Sequence, residues 1–212
     1  MKRTLTLMVS AMLVMSAVSC GSATTDAGVS VPDENILHVN GMIDAKDSLA
    51  DVYDYADYVV VCEVTAKGNS YLGNGKELDT TLPKEEIMEQ LIAIRTPYEI
   101  TVKESYKGGL EIGGKYTVVS LEGVLDGYAV DAGLPDLEVG ETYFMPICVS
   151  DPDESIPYFP ALAKVNEPTG LAKLANSNPT ITPLMFDTPF ENVSNLDALD
   201  GVMATMNSTE KK

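Results

Sequence analysis

Tryptophan is absent from the 212 residues, histidine occurs once, cysteine three times, and basic residues number 14 against 32 acidic ones. Each scarcity closes a class of function. A Ser-His-Asp or Cys-His site needs an imidazole held beside its nucleophile, and the single His38 lies in a segment read below as a tether. Zinc sites draw His and Cys at set spacings, and no such spacing occurs. Three cysteines do not staple a mini-protein, so the core has to be mainly hydrophobic; 45% apolar residues, with ten Tyr among them, can build one. The acidic excess repels nucleic acid and anionic bilayers alike, so no nucleic-acid partner is expected. Past the first twenty residues, no apolar run reaches the length of a membrane span.

What is present begins with an export leader. Lys2 and Arg3 give a positive start, Leu5 to Val18 form an apolar run, and Ala17-Val18-Ser19-Cys20 closes it. This pattern, too short for a span, predicts a lipoprotein signal peptide over residues 1–19, with Ala17 where leucine is commoner. Cys20 is the expected lipidation site. The mature chain is then held on the extracytoplasmic side of a bacterial cell membrane by a diacylglyceryl anchor. Removing Lys2 and Arg3 with the leader leaves 12 basic and 32 acidic residues, a formal charge of −20. Residues 20–46 are expected to be a flexible tether, since Gly21 to Asn35 offers little that can pack.

Residues 47–165 read as one domain. Asp47 to Tyr53 predicts a short helix capped by Asp47 or Ser48, with Leu49, Val52 and Tyr53 on one face. Tyr58 to Val64 is β-branched and nearly all apolar, hence a strand buried on both faces. Gly73-Asn74-Gly75 is a turn signal, and Pro83 to Leu91 predicts a helix inserted between two strands. Strands are expected at residues 57–64, 97–104, 115–121 and 142–149, with a fifth over Tyr158 to Leu162. Pro146 predicts a bulge or unpaired position. Residues 166–212 form a C-terminal extension, with a helix expected over Asn195 to Met206. Short strands separated by Gly-rich turns, with little helix, predict a mainly β fold of barrel or sandwich type.

Three pieces in order carry a resemblance: Ala56-Asp57-Tyr58-Val59-Val60-Val61-Cys62-Glu63-Val64, Thr96 to Val102 running to Tyr106-Lys107-Gly108, and Leu137-Glu138-Val139-Gly140-Glu141-Thr142-Tyr143-Phe144. Over roughly residues 49–165 the chain resembles the inhibitory domain of tissue inhibitors of metalloproteinases and the related netrin modules. The resemblance implies a five-stranded OB-like antiparallel barrel with short flanking helices. In that family an N-terminal cysteine packed on the barrel chelates the protease zinc. Here no cysteine stands just before the first strand, and Cys20 lies about 36 residues upstream, carrying lipid. The inhibitory chemistry therefore has no counterpart residue.

The remaining candidates are few. Asp151-Pro152-Asp153-Glu154-Ser155 begins like a calcium loop but has Ile156 at the sixth place and Leu162 at the twelfth, so it reads as a solvated turn. Gly108-Gly109 and Gly113-Gly114 are hairpin glycines rather than a phosphate loop. No cofactor or metal site and no catalytic residue is indicated, and spacing alone cannot select an acid pair from 32 carboxylates. Tyr53, Tyr55 and Tyr58 are candidate ligand-facing aromatics, with a role in capping the barrel's end as the alternative. Cys62 and Cys148 are expected as two separate buried thiols, with a disulfide between them as the other possibility. The function expected is a non-catalytic, surface-tethered binding module for an envelope protein, peptide or glycan. The alternatives are a cell-envelope enzyme using an unidentified carboxylate pair and, third, a protease-inhibitor-like protein.

Overall fold

The structure, a computed structural model, describes residues 31–39, 48–149, 157–158, 161–167, 178–184 and 188–210. Cys20 and the segment Asp151 to Ser155, read above as a solvated turn, lie outside them. In chain order the elements are β1 (Ile36–His38), α1 (Leu49–Tyr55), β2 (Tyr58–Lys67), β3 (Tyr71–Leu72), α2 (Lys84–Leu91) and β4 (Ile94–Lys107). There follow β5 (Lys115–Ser120), β6 (Gly123–Leu125), β7 (Tyr128–Asp131), β8 (Thr142–Val149) and β9 (Pro157–Tyr158). The chain then adds β10 (Ala163–Asn166), β11 (Thr180–Pro183) and α3 (Leu196–Glu210). The fold is mainly β, and the four strands expected between residues 57 and 149 are present as β2, β4, β5 and β8.

Those four strands lie in the order β8-β2-β4-β5, every neighbour antiparallel. The fourth returns by a long connection to lie beside the first, which is Greek-key order. Alternation along β2 sends Val59 and Val61 to one core and Val60, Cys62 and Val64 to another. Along β8, Phe144 joins the first core while Tyr143, Met145 and Ile147 join the second. Both faces are covered, which is why these strands read as unbroken apolar runs.

The helices cover the first face. Leu49, Val52 and Tyr53 of α1 pack with Leu199 and Met203 of α3 around Phe144, whose ring meets Phe190 edge-on at 5.8 Å. Burying each aliphatic side chain contributes about 1.5–3 kcal/mol. A third core gathers Ile87 and Leu91 of α2 with Leu72, Ile94 and Val130, against which Leu37 packs.

Three expectations are corrected and one is narrowed. First, the sheet does not close into a barrel. Its path continues from β8 to β10 and β11, and only the two-residue β9 touches both β5, at Val119, and β8, at Cys148 and Val149. Second, the expected fifth strand is divided. Tyr158 ends β9, and Ala161 and Leu162 lie outside any strand before Ala163 begins β10. Third, of the two alternatives at Pro146 the unpaired position is the one found. It pairs in regular register with Val59 on β2 without a bulge, and on its other edge, among the described residues, β10 pairs only with residues 142–144 and β9 only with 148–149. The Val64 N–H donates to Glu141 O, which sets the alternation so that Pro146 turns its missing donor away from β2. The register shifts fall between β2 and β4 instead. Fourth, the segment assigned to the tether contains β1, which pairs in parallel with β7 in a separate sheet of order β1-β7-β6. Leu37 and Val39 have an apolar surface to pack on, supplied by elements distant in sequence.

Candidate functional site

The second sheet builds a recess that combines charge, hydroxyl and aromatic surface. Its hairpin turns at Asp126-Gly127, with φ of 50° and 82°, so both central residues are left-handed as a type I′ turn requires. Gly123, at the start of β6, sits against β4. A Cβ there would collide with the hydroxyls of Thr96 and Ser70, so no larger residue fits without displacing them. The buried Thr96 donates from Oγ1 to Glu122 O at 2.5 Å and receives the Ser70 hydroxyl at 2.8 Å. These contacts fasten the start of the hairpin to β4, and a cleft of about 230 Å³ lies beside them.

Tyr98, Val124, Ala129, Val130 and Leu134 give the cleft its apolar walls, and Glu122, Asp131, Asp136 and Lys67 its charge. Each charged group is positioned by the fold. Glu122 Oε2 accepts the N–H groups of Ala132 and Leu134, each at 3.3 Å, fastening the chain that follows β7. Asp131 accepts Gly133 N–H at 2.9 Å through Oδ1, and its Oδ2 lies 3.1 Å from His38 Nδ1. Lys67, the last residue of β2, places its ammonium 3.8 Å from Asp136 and 5.8 Å from the centre of the Tyr98 ring. Burial raises the protonation point of Glu122; the two N–H donors oppose the rise, and the charges of Asp131 and Asp136 add to it. Such a site can hold a cationic or hydrogen-bonding group against an aromatic wall. Among the described residues no group of His, Cys, Asp and Glu is arranged to hold a metal ion.

The chain matches no family model and no curated protein.

The structure does not bring the three candidate tyrosines together. Tyr53 is buried in the first core with its hydroxyl donating to Asn207 Oδ1 at 2.6 Å, Tyr58 packs on the second core, and Tyr55 points outward at 65% exposure. Residues 53 and 55 are two apart on a helix and cannot share a face. Cys62 and Cys148 also fall on opposite faces, in the second and first cores. Cys62 pairs with Tyr143, so Cys148 is five positions further along β8, about 16 Å at strand rise and far outside disulfide reach. His38 stands on β1 and reaches the cleft only through its contact with Asp131. Sequence reasoning missed Glu122, Lys67, Tyr98 and Asp136 as a group. The hairpin that assembles them was signalled by Asp126-Gly127 between Val124-Leu125 and Tyr128-Ala129-Val130.

Proposed function

We propose that this protein is a lipid-anchored, extracytoplasmic binding module whose ligand site is the cleft between β4 and the β6–β7 hairpin. The observation that carries the reading is the convergence of Tyr98, Lys67, Glu122 and Asp131 on one recess, each held by a contact within the fold. Recesses with apolar walls and a few fixed polar groups are where ligands bind. The scaffold is read as a partly open OB-type barrel. Support for that reading comes from the β8-β2-β4-β5 order and from β9 lying parallel to β5 and antiparallel to β8.

The test is a titration of isotope-labelled, full-length Cys20→Ala protein with soluble cell-wall fragments and with peptides of envelope proteins, followed by amide shifts. Saturable shifts centred on Gly123, Ala129–Asp131 and Ala132 are expected. Saturable shifts confined to another surface, or none with either ligand class, would sink the reading. One observation favours the enzymatic alternative: Glu122, with its raised protonation point, shares the cleft with Asp131 and Asp136. Product formed from cell-wall fragments by the wild type and abolished by Glu122→Gln would decide for it.

A further inference from the structure

The cleft already holds an ammonium group, its own. Lys67 Nζ stands over the buried Tyr98 ring and beside Asp136, at distances suited to cation–π attraction and to a loose ion pair. The Lys67 side chain keeps 22% of its surface exposed, so its ammonium can swing to solvent without unfolding β2. Both backbone donors to Glu122 go to Oε2, which leaves Oε1 without a hydrogen-bond partner among the described residues. The walls between these groups are Val124, Val130 and Leu134, surfaces suited to methylene groups rather than to a hydrated ion.

We propose that the cleft is a seat for a primary alkyl-ammonium group, with Lys67 as the internal occupant that such a ligand displaces. The proposal rests on the reading of the cleft as a binding site. An incoming alkyl stem lies along Val124 and Leu134, and its ammonium donates to Glu122 Oε1 while Tyr98 and Asp136 supply the attraction that Lys67 now takes. An ammonium held between the Tyr98 ring and the partly buried Glu122 gains more than one on the open acidic surface, where water and salt screen it. The ligand chemistry has two sources, a free diamine or a lysine side chain of a polypeptide.

The experiment titrates full-length Cys20→Ala protein at fixed ionic strength with 1,4-diaminobutane and with an acetylated, amidated Gly-Lys-Gly peptide. Amide shifts at residues 122–134 give the affinity. Binding of at least one probe is expected, and the stronger identifies the source. Lys67→Met should tighten it about tenfold by vacating the seat, and Glu122→Gln should weaken it about tenfold. The exposed pair Glu85→Gln/Glu86→Gln should leave it unchanged. If that surface pair weakens binding as much as Glu122→Gln does, the attraction is diffuse and the proposal fails. It fails too if Lys67→Met weakens binding, or if neither probe shifts the cleft. Cleft shifts with cell-wall fragments but with neither amine would overturn the ammonium seat while leaving the binding-module reading standing.

Discussion

Glu122 is under opposed demands. Two N–H groups favour its charged form, while burial and two neighbouring carboxylates disfavour it, and the net effect raises its protonation point from the ordinary 4.5. A carboxyl whose folded value is raised contributes stability fully below its unfolded value and loses that contribution as pH climbs through the folded value. Glu122→Gln keeps an oxygen for Ala132 and Leu134 and removes the charge. It should therefore raise Tm by roughly 1–3 °C at pH 7 and leave it little changed at pH 4, measured by calorimetry. A lower Tm at pH 7 would show that the charge is stabilising. Cys62 makes a separate case. Burial pushes its thiol up to about 12, so no thiolate forms near neutral pH. In native Cys20→Ala protein a maleimide should leave Cys62 unmodified, and denaturation without reductant should expose two thiols. Zero thiols after denaturation would mean a disulfide, and with it a β2–β8 register unlike the one described.

At the scale of elements, α1 is short and depends on its ends. Ser48 accepts Asp51 N–H at 3.2 Å and donates to Asp51 Oδ2 at 2.6 Å, a reciprocal cap at the first turn. At the other end Lys107 donates to the carbonyls of Tyr53 at 2.7 Å and Asp54 at 3.3 Å, satisfying groups the helix cannot and placing positive charge at its C-terminus. Ser48→Ala should cost about 1 kcal/mol in urea unfolding without changing the m-value. An unchanged midpoint would mean that tertiary packing alone holds the turn. Gly123→Ala is the corresponding test for the β6–β7 hairpin. Its methyl group collides with Thr96 and Ser70, so the hairpin should be forced off β4. The amide signals of residues 122–134 should move or broaden while those of β8 stay in place. Intact signals across the hairpin would show that the cleft tolerates the methyl.

For the molecule as a whole, the proposed anchor and the charge make separable predictions. If Ala17-Val18-Ser19-Cys20 directs lipidation, Cys20→Ala should move the protein from the membrane fraction to the soluble one. Unchanged partitioning, followed by immunoblot, would reject the lipoprotein reading. With the proposed leader removed the formal charge would be −20, which an anionic bilayer repels, so on that reading only the lipid should hold the protein there, and high salt should not release the wild type. No helix among the described residues is long and apolar enough to cross a membrane.

How much of this was legible depended on how local the physics was. The β-branched run of β2, the alternation in β4, the Ser48 cap and the apolar stripe of α3 each need only neighbours in the chain, and each was readable from the residues. The leader and Cys20 are likewise a sequence-level reading, outside the described residues. What only the tertiary structure decided was pairing between distant segments. It laid Ile36–His38 on β7, split the outer edge of β8 between β9 and β10, and set Cys62 and Cys148 on opposite faces. It also selected three carboxylates out of 32, because Glu122, Asp131 and Asp136 meet Lys67 and Tyr98 only once a type I′ hairpin folds against β4. The reason is physical. Helix and strand formation follow period and propensity within a few residues, whereas a sheet's register and a cleft's lining are set by which surfaces can be buried together.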